Sequence, residues 1–201
     1  MKRTVGIIYG FGEGPRHAKR LYDALWSKGF IVVDKAERAE VIIAHSGGNF
    51  MFPKNTADKI IIMMNPSCSP IHQILIVFTK KMFVEFTQSV KNRCVRRWLA
   101  KAMLNIWYIA TRIPYNLRVV MHGLRASEWL PTITAARVWV VTTHHDPWAA
   151  LVKQEETQRL PQYTYLGHAG SHDSLWLQPE ICADIVQSAY GTHVLATTRS
   201  R

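Results

Sequence analysis

The sequence predicts an α/β fold: a three-layer parallel sheet with helices on both faces. Short, uniformly apolar segments rich in β-branched residues recur along the chain, and segments with helical spacing of apolar residues separate them. A strand that is apolar on both sides is buried on both sides, which is typical of a parallel sheet covered by helices. A length of 201 residues fits one domain. We therefore predict a single α/β domain over residues 1–201.

Six segments have the apolar, β-branched character of buried strands and end at turn residues. They are residues 4–9, 30–33, 41–44, 59–64, 136–142 and 163–166. Apolar residues at helical spacing predict helices at 16–28, 149–158 and 179–189. Gly29 follows the first of these helices as its expected C-terminal cap.

Residues 69–130 interrupt this alternation with a segment of different character. Glycine is absent from 71 to 121, ten Lys or Arg lie between 80 and 125 against a single acid, and an apolar stripe at helical spacing begins at Val95. We predict an inserted helical cap or lid, with apolar side chains on the sheet and basic ones in solvent. The alternative is a lid that attracts anionic substrates or an anionic membrane surface. No recognition motif for nucleic acid accompanies the basic residues, so no specific nucleic-acid partner is predicted.

The bulk composition narrows the class of protein. A formal net charge of +11 favours weak attraction to anionic partners without naming one. Three scattered cysteines form neither a disulfide framework nor a thiolate metal site. The first apolar run is too short for a signal peptide, and no later run is long enough to span a bilayer. We expect a cytoplasmic protein, and the composition leaves its oligomeric state open.

The segment with the clearest chemical meaning is residues 44–48, Ala-His-Ser-Gly-Gly, directly after a predicted strand. A serine between small residues at the end of a strand is typical of a nucleophile elbow, a strained strand-to-helix turn that exposes the hydroxyl. The motif has the form G-x-S-x-G, and Ala44 replaces its first glycine. Ser46 is therefore the candidate nucleophile. The alternative is a structural serine in a glycine-rich turn.

A serine nucleophile needs a base to take its proton and an acid to orient that base. Asp146 lies just past the fifth predicted strand, and His172 follows the sixth. The chain order Ser, Asp, His is the order that this kind of sheet requires, and the carboxyl ends of parallel strands meet at one edge. We predict a catalytic triad of Ser46, Asp146 and His172.

Taken together, these segments resemble the α/β-hydrolase superfamily, particularly its small serine hydrolases. Residues 9–12 resemble the family's His-Gly-x-Gly loop, 44–48 its elbow, 65–66 a turn frequent after the next strand, 146–147 its acid turn and 170–173 its histidine loop. The resemblance extends over most of the chain. It implies a hydrolase that cleaves an ester, thioester or amide of a small-molecule acyl substrate through an acyl-enzyme, without a cofactor.

The resemblance also implies roles for individual residues. The backbone N–H groups of Phe11 and Gly47 would form the oxyanion hole. His172 is preferred as the base over His168, because the residues after it match the family's pattern. Two features depart from that pattern. Tyr9 stands where the family often has histidine, and the link formed by residues 34–40 is too short for the usual helix, which implies a trimmed fold.

Further residues are assigned to the surroundings of Ser46. Gly10, Gly12, His45 and His168 are predicted to line the substrate pocket. The histidines near the predicted site have ligand chemistry suited to zinc, but their spacing matches no common signature, and no metal is predicted.

Two other functions stay open on the sequence alone. Gly10, Gly12 and Gly14 follow the first strand and Asp34 ends the second, which resembles half of a dinucleotide-binding fingerprint. Pro15 occupies the place of the third glycine and has no N–H to donate. The alternatives are thus a Rossmann-like nucleotide-binding protein that uses this loop, or a catalytically inactive hydrolase-fold binding module.

Overall fold

A computed structural model describes residues 3–53, 55–66, 86–87, 90, 95–125, 135, 137–143, 163–168 and 173–199. In these ranges six strands form one sheet: β1 (Arg3–Ile8), β2 (Phe30–Val33), β3 (Val41–His45), β4 (Ile60–Met64), β5 (Arg137–Thr143) and β6 (Tyr163–His168). The sheet order is β2-β1-β3-β4-β5-β6, and every neighbouring pair is parallel. The predicted parallel α/β sheet is confirmed.

The helices of the described residues are α1 (Lys19–Ser27), α2 (Val95–Thr111), α3 (Ile113–Arg125), α4 (Ser174–Leu177) and α5 (Pro179–Arg199). Gly29 follows α1 with a φ of +82° and donates its N–H to the Trp26 carbonyl, as expected of a C-terminal cap. The α2 and α3 helices lie inside the predicted insert. The helix predicted at 149–158 lies outside the described residues. No helix of the described ranges is both long enough and apolar enough to cross a bilayer.

The strand order places a topological switch point between β1 and β3. The connection from β1 leads away to β2 on one side, and the connection from β3 leads away to β4 on the other. Loops that diverge in this way leave a crevice at the carboxyl edge of the sheet, where α/β proteins bind ligands. The loop after β1 and the turn after β3 therefore border the same crevice.

One face of the sheet packs against α1 and α5. Leu21 and Leu25 of α1 and Ala183 and Val186 of α5 are completely buried there. The strands contribute alternate side chains to this core, among them Val5, Val41, Ile43, Ile60, Ile62 and Val141. Removing this apolar surface from water is the main stabilising contribution to the domain.

Beside β1 and β3, the other face is crossed by the short link between β2 and β3. That link contains one 3-10 turn, Ala36–Arg38, in place of a helix. It runs so close to the sheet that a Cβ on Gly6 would lie 2.7 Å from the Cα of Ala36. Ala39 packs there with Ile8, Ile42 and Ala44. The predicted trimming of the fold at this position is confirmed.

The apolar stripe of α2 does not pack on the sheet as predicted. Leu99, Met103 and Ile106 are 49%, 70% and 65% exposed, and they repeat at i, i+4 and i+7 on one face of the helix. The helix instead packs through Tyr108, which is 4% exposed and lies against the loop after β1. Helical spacing thus indicated the apolar face of α2 correctly but not its partner.

Candidate active site

Ser46 is the first residue after β3, and its backbone has left-handed geometry. Its φ is +50°, and the chain continues directly into a short 3-10 helix, Ser46–Met51. A non-glycine residue at positive φ is strained by about 1–3 kcal/mol, and such strain concentrates at functional turns. Asn65 is the other non-glycine residue with positive φ in the described ranges. The turn at Ser46 has the geometry expected of a nucleophile elbow, and the serine is partly exposed.

Glycines allow the elbow to approach the end of β1. A Cβ on Gly48 would lie 2.6 Å from the carbonyl oxygen of Ile8 and 2.9 Å from that of Tyr9. A Cβ on Gly10 would lie 3.0 Å from the Cβ of Ser46. The contacts of Gly48 with backbone oxygens are too short for a real Cβ unless the backbone moves, and the contact of Gly10 with Ser46 would force a small shift. Glycine at position 48 is therefore required by the packing of the turn.

Replacing Gly48 with alanine is expected to lower the free energy of unfolding by about 1–3 kcal/mol, because the new methyl group meets two fixed backbone carbonyls. Gly191→Ala in α5 is the matched control. A Cβ there would meet nothing within 4 Å, and alanine in a helix interior should stabilise by about 0.5–1 kcal/mol. Urea unfolding measures the change in the free energy of unfolding of each variant, which should be a loss for Gly48→Ala and a gain for Gly191→Ala. Equal stability of Gly48→Ala and wild type would contradict the close approach.

Two of three consecutive amides in the loop after β1 donate to side chains of the protein. Gly10 donates its N–H to the carboxylate of Glu13, with an N···O distance of 2.8 Å, and Gly12 donates to Oδ1 of Asn116 at 2.9 Å. Within the described part of the chain the amide of Phe11 has no acceptor. Gly47 is the second residue of its 3-10 helix, where backbone N–H groups have no intrahelical acceptor. Phe11 and Gly47, the residues predicted to form the oxyanion hole, thus carry N–H groups that have no acceptor among the described residues.

Glu13 is a buried carboxylate that joins three parts of the fold. Its Oε2 accepts the N–H of Gly10 and lies 2.8 Å from Nδ1 of His45. Its Oε1 accepts the indole N–H of Trp176 at 3.0 Å. Three donors offset the cost of removing a carboxylate from water. Sequence reasoning did not single out Glu13, although a lone acid in a glycine-rich loop after a buried strand was an available signal.

His45, a predicted pocket residue, is completely buried instead. Its Nδ1 faces Glu13, so the ring donates from that nitrogen and is fixed beneath the elbow. The Asp173 carboxylate is also buried, and one atom from each of Glu13, His45 and Asp173 lies within 4.8 Å of the others. These residue types are metal ligands. The Glu13 carboxylate already faces three donors of the protein, so the cluster is a hydrogen-bonding centre.

The sequence itself matches no family model and no curated protein. Solved structures do match. The chain is similar to the enol-lactonase of Burkholderia xenovorans, with a TM-score of 0.63, 14% identity, and coverage of 95% of this chain and 92% of that one. It is similar to an α/β-hydrolase fold protein from Nakamurella multipartita, with a TM-score of 0.54, 13% identity, and coverage of 93% and 91%. This chain has the α/β-hydrolase fold.

A third solved structure agrees with this assignment. The monoacylglycerol lipase of Paleococcus ferrophilus matches with a TM-score of 0.56 and 13% identity, and the alignment covers 92% of this chain and 94% of the lipase. At such identities the similarity establishes the fold alone. The chemistry of this α/β-hydrolase fold has to be argued from its own residues.

Two members of the predicted triad, Asp146 and His172, lie outside the described residues. The strands that precede them in sequence are described, and they lie side by side: Thr143, the last residue of β5, pairs with His168, the last residue of β6. His168 therefore belongs to a strand of the α/β-hydrolase fold, not to the loop in which it was predicted. The pairing with β5 extends β6 through Gly167, which sequence reasoning took as the start of a loop.

Asn65 fixes the end of β5, three residues before the predicted Asp146. Its backbone N–H donates to the Val141 carbonyl at 2.7 Å, and its Oδ1 accepts the N–H of Thr143 at 3.0 Å. Asn65 has a positive φ, which asparagine tolerates better than most residues. The Asn-Pro turn noted in the sequence thus anchors the edge of the sheet at which the predicted acid follows.

Helices α2 and α3 hold the loop after β1 in place. Asn116 accepts from Gly12 and donates to the Tyr108 carbonyl, while Tyr115 donates its hydroxyl to the Tyr9 carbonyl at 2.6 Å. Arg112 donates to the Glu13 carbonyl at 3.0 Å. Residues more than eighty positions away in sequence therefore set the shape of the loop that carries Phe11.

Burial raises the pKa of Tyr115 from 10.0 to about 12. Because the folded-state pKa lies above the unfolded one, the stability contributed by the neutral hydroxyl is complete below pH 10 and is lost as the pH rises toward 12. We expect Tyr115→Phe to lower the free energy of unfolding by about 1 kcal/mol at pH 8. That difference from wild type should shrink above pH 10 in denaturant unfolding. A difference that stayed constant to the highest pH would contradict the buried hydrogen bond to Tyr9.

The same loop geometry disfavours nucleotide binding. A dinucleotide fingerprint needs free amides for the pyrophosphate. Here the N–H groups of Gly10 and Gly12 donate to Glu13 and Asn116, and that of Gly14 donates to Nδ1 of His17. The helix that should follow begins later, at Lys19. Glycine spacing alone could not reveal that side chains of the protein occupy these amides.

Proposed function

We propose that the protein is a serine hydrolase that cleaves an ester, thioester or amide of a small-molecule acyl substrate through an acyl-enzyme. The observation that carries the proposal is the strained backbone of Ser46 at the switch point of the sheet. Strain of this kind persists only where the surrounding structure holds it, and it concentrates where a side chain must be exposed to react. The amide of Phe11, which has no acceptor among the described residues, lies in the loop after β1, and Gly10 of that loop closely approaches Ser46.

A second contact supports the triad. His45 precedes the proposed nucleophile, and Asp173 follows the proposed base, His172, in sequence. The side chains of His45 and Asp173 lie within 4.8 Å of each other in the buried cluster with Glu13. Residues that flank two triad members are thus packed together. This arrangement favours His172 over His168 as the base.

The proposed roles follow from the chemistry of acyl transfer. Ser46 Oγ attacks the carbonyl carbon of the substrate, while His172 takes its proton and returns it to the leaving group. Asp146 orients His172 and stabilises its charged form. The amides of Phe11 and Gly47 donate to the oxyanion, an effect commonly worth a few kcal/mol of barrier. Water activated by the same histidine then releases the acyl group. Helices α2 and α3 form the cap over the loop, and no cofactor is required.

Labelling by a fluorophosphonate probe tests the proposal directly, because the probe reacts with activated serines. We expect one probe per chain by intact mass, no labelling of Ser46→Ala, and strongly reduced labelling of His172→Ala. Ser27→Ala is the matched control, since Ser27 caps a turn of α1 by donating to the Ala24 carbonyl. It should label like wild type. Unlabelled but folded wild-type protein would overturn the proposal in favour of a binding module.

A further inference from the structure

A cavity of about 640 Å³ opens at the carboxyl ends of β1 and β2, beside the elbow. Its lining includes Tyr9, which precedes the proposed oxyanion loop, and Met51, which ends the 3-10 helix that begins at Ser46. Residues 34–38 border it as part of a link that contains one 3-10 turn instead of a helix. The volume lies in the range of about 300–1,000 Å³ that is typical of small-molecule sites.

The charges around this cavity are unbalanced. The link contributes Asp34, Lys35, Glu37 and Arg38, whose formal charges cancel. Arg112, which lies between α2 and α3, and two residues of α3, Tyr115 and Arg118, also line the cavity and include no acid. The cavity therefore has a net positive charge, and the excess comes from the α2–α3 side.

The surroundings of Arg112 leave its guanidinium able to bind an anion. Its guanidinium is half-buried, lies 4.4 Å from the ring centre of Tyr115 and 5.8 Å from that of Tyr9, and gives one hydrogen bond to a backbone carbonyl. Across the described ranges, neither Arg112 nor Arg118 lies within 4 Å of a carboxylate. A guanidinium has five N–H donors in a planar fork that matches a carboxylate, so most of this donor capacity is available to a ligand.

We infer that this cavity binds the negatively charged end of the substrate, so that the preferred acyl groups carry a free carboxylate remote from the bond that is cleaved. The inference rests on the proposed hydrolase function and deepens it. The cavity reaches the start of the loop after β1 at Tyr9 and the last residue of the 3-10 helix at Met51, so the inferred substrate needs an acyl chain that extends from there to Ser46. The positive charges of Arg112 and Arg118 then favour acyl groups with a remote carboxylate. The neutral part of the acyl chain, between that carboxylate and the bond that is cleaved, contributes apolar contacts.

Two esters of equal chain length test this selectivity: 4-nitrophenyl hydrogen adipate, which is anionic, and 4-nitrophenyl hexanoate, which is neutral. We expect wild type to prefer the adipate in kcat/KM. Arg112→Gln and Arg118→Gln should each lower the adipate-to-hexanoate ratio about tenfold, the effect of losing a hydrogen bond to a charged group. Arg96→Gln removes the same charge from an exposed position of α2 outside the cavity, and it should leave the ratio unchanged.

The ratio is the deciding measurement because Arg112 also supports the oxyanion loop. Loss of that support lowers the hydrolysis of both esters, whereas loss of an anion site lowers the hydrolysis of the adipate selectively. An unchanged ratio in both cavity variants, with hexanoate still cleaved through Ser46, would overturn the inference and leave the proposed function standing.

If no ester is cleaved, calorimetric titration with the free dicarboxylate adipate tests the anion site separately from the hydrolase function. Binding to wild type that is lost in Arg118→Gln supports the cavity as an anion site even when the hydrolase proposal fails. Absence of adipate binding to the folded wild-type protein overturns the inference. A titration with inorganic phosphate identifies the anion, since binding of phosphate without adipate contradicts the carboxylate assignment.

Discussion

Alanine at position 46 is expected to lower kcat/KM for 4-nitrophenyl butyrate by at least about a thousandfold, because the attacking oxygen is removed while its surroundings remain. Neither the oxyanion amides nor the buried Glu13 cluster depends on the Ser46 hydroxyl, so KM should change little. Steady-state kinetics with active-site titration measures the loss. Retention of more than a few per cent of wild-type activity would place the nucleophile elsewhere.

Glycine at the same position separates chemistry from folding. Ser46→Gly should be as inactive as Ser46→Ala, but glycine adopts a φ of +50° without the penalty that a Cβ incurs. We expect Ser46→Gly to exceed Ser46→Ala in free energy of unfolding by about 1 kcal/mol. A glycine variant less stable than the alanine variant would contradict the strained elbow.

Replacing Glu13 with alanine is expected to lower the free energy of unfolding by about 3–5 kcal/mol, because each buried donor left without an acceptor costs about 1–3 kcal/mol. The N–H of Gly10, Nδ1 of His45 and the indole N–H of Trp176 would all lose their acceptor at once. Hydrolysis should fall as well, since Gly10 precedes the proposed oxyanion amide and His45 precedes the nucleophile. Denaturant unfolding and ester hydrolysis measure the two losses.

Glutamine at position 13 tests the hydrogen bonds alone, because it has the size of glutamate but replaces one acceptor oxygen with a donor nitrogen. If its amide nitrogen replaces Oε2, it faces the N–H of Gly10, and if it replaces Oε1, it faces the indole N–H of Trp176. Neither donor can become an acceptor, so Glu13→Gln should still cost about 1–3 kcal/mol. Glu180→Gln is the control, because Glu180 is exposed and forms a long ion pair of 3.8 Å with Arg20. It should change stability by less than about 0.5 kcal/mol. Equal stability of both variants would contradict the hydrogen-bonding role of Glu13.

The strands and the elbow were predictable because their signals are local. Six β-branched apolar segments could be recognised as buried strands from a few neighbouring residues each. Ser46 was recognisable because close packing demands small residues at 47, against Val119, and at 48, against the end of β1, and both lie next to it in sequence. Burial of a strand and close packing of a turn both constrain residues that are adjacent in the chain, so a single sequence is sufficient to predict them.

The Glu13 cluster was not predictable because its partners are distant. The hydrogen bond that Glu13 accepts from His45 joins residues 32 positions apart, and the one that it accepts from Trp176 joins residues 163 apart. Nothing near Glu13 indicates either partner. The support of the loop by Arg112 and Tyr115 was hidden for the same reason, since it depends on how α2 and α3 dock.

The packing of α1 against α5 has a consequence for synthesis of the chain on the ribosome. Leu21 and Leu25 belong to the first helix, yet the core that buries them includes residues 182–189. An emerging chain can pair β1, β2, β3 and β4 early, because these strands lie within the first 64 residues. Their apolar face has no helical cover from α5 until residues 179–199 have been synthesised. We expect the nascent domain to need protection by chaperones until that helix leaves the exit tunnel.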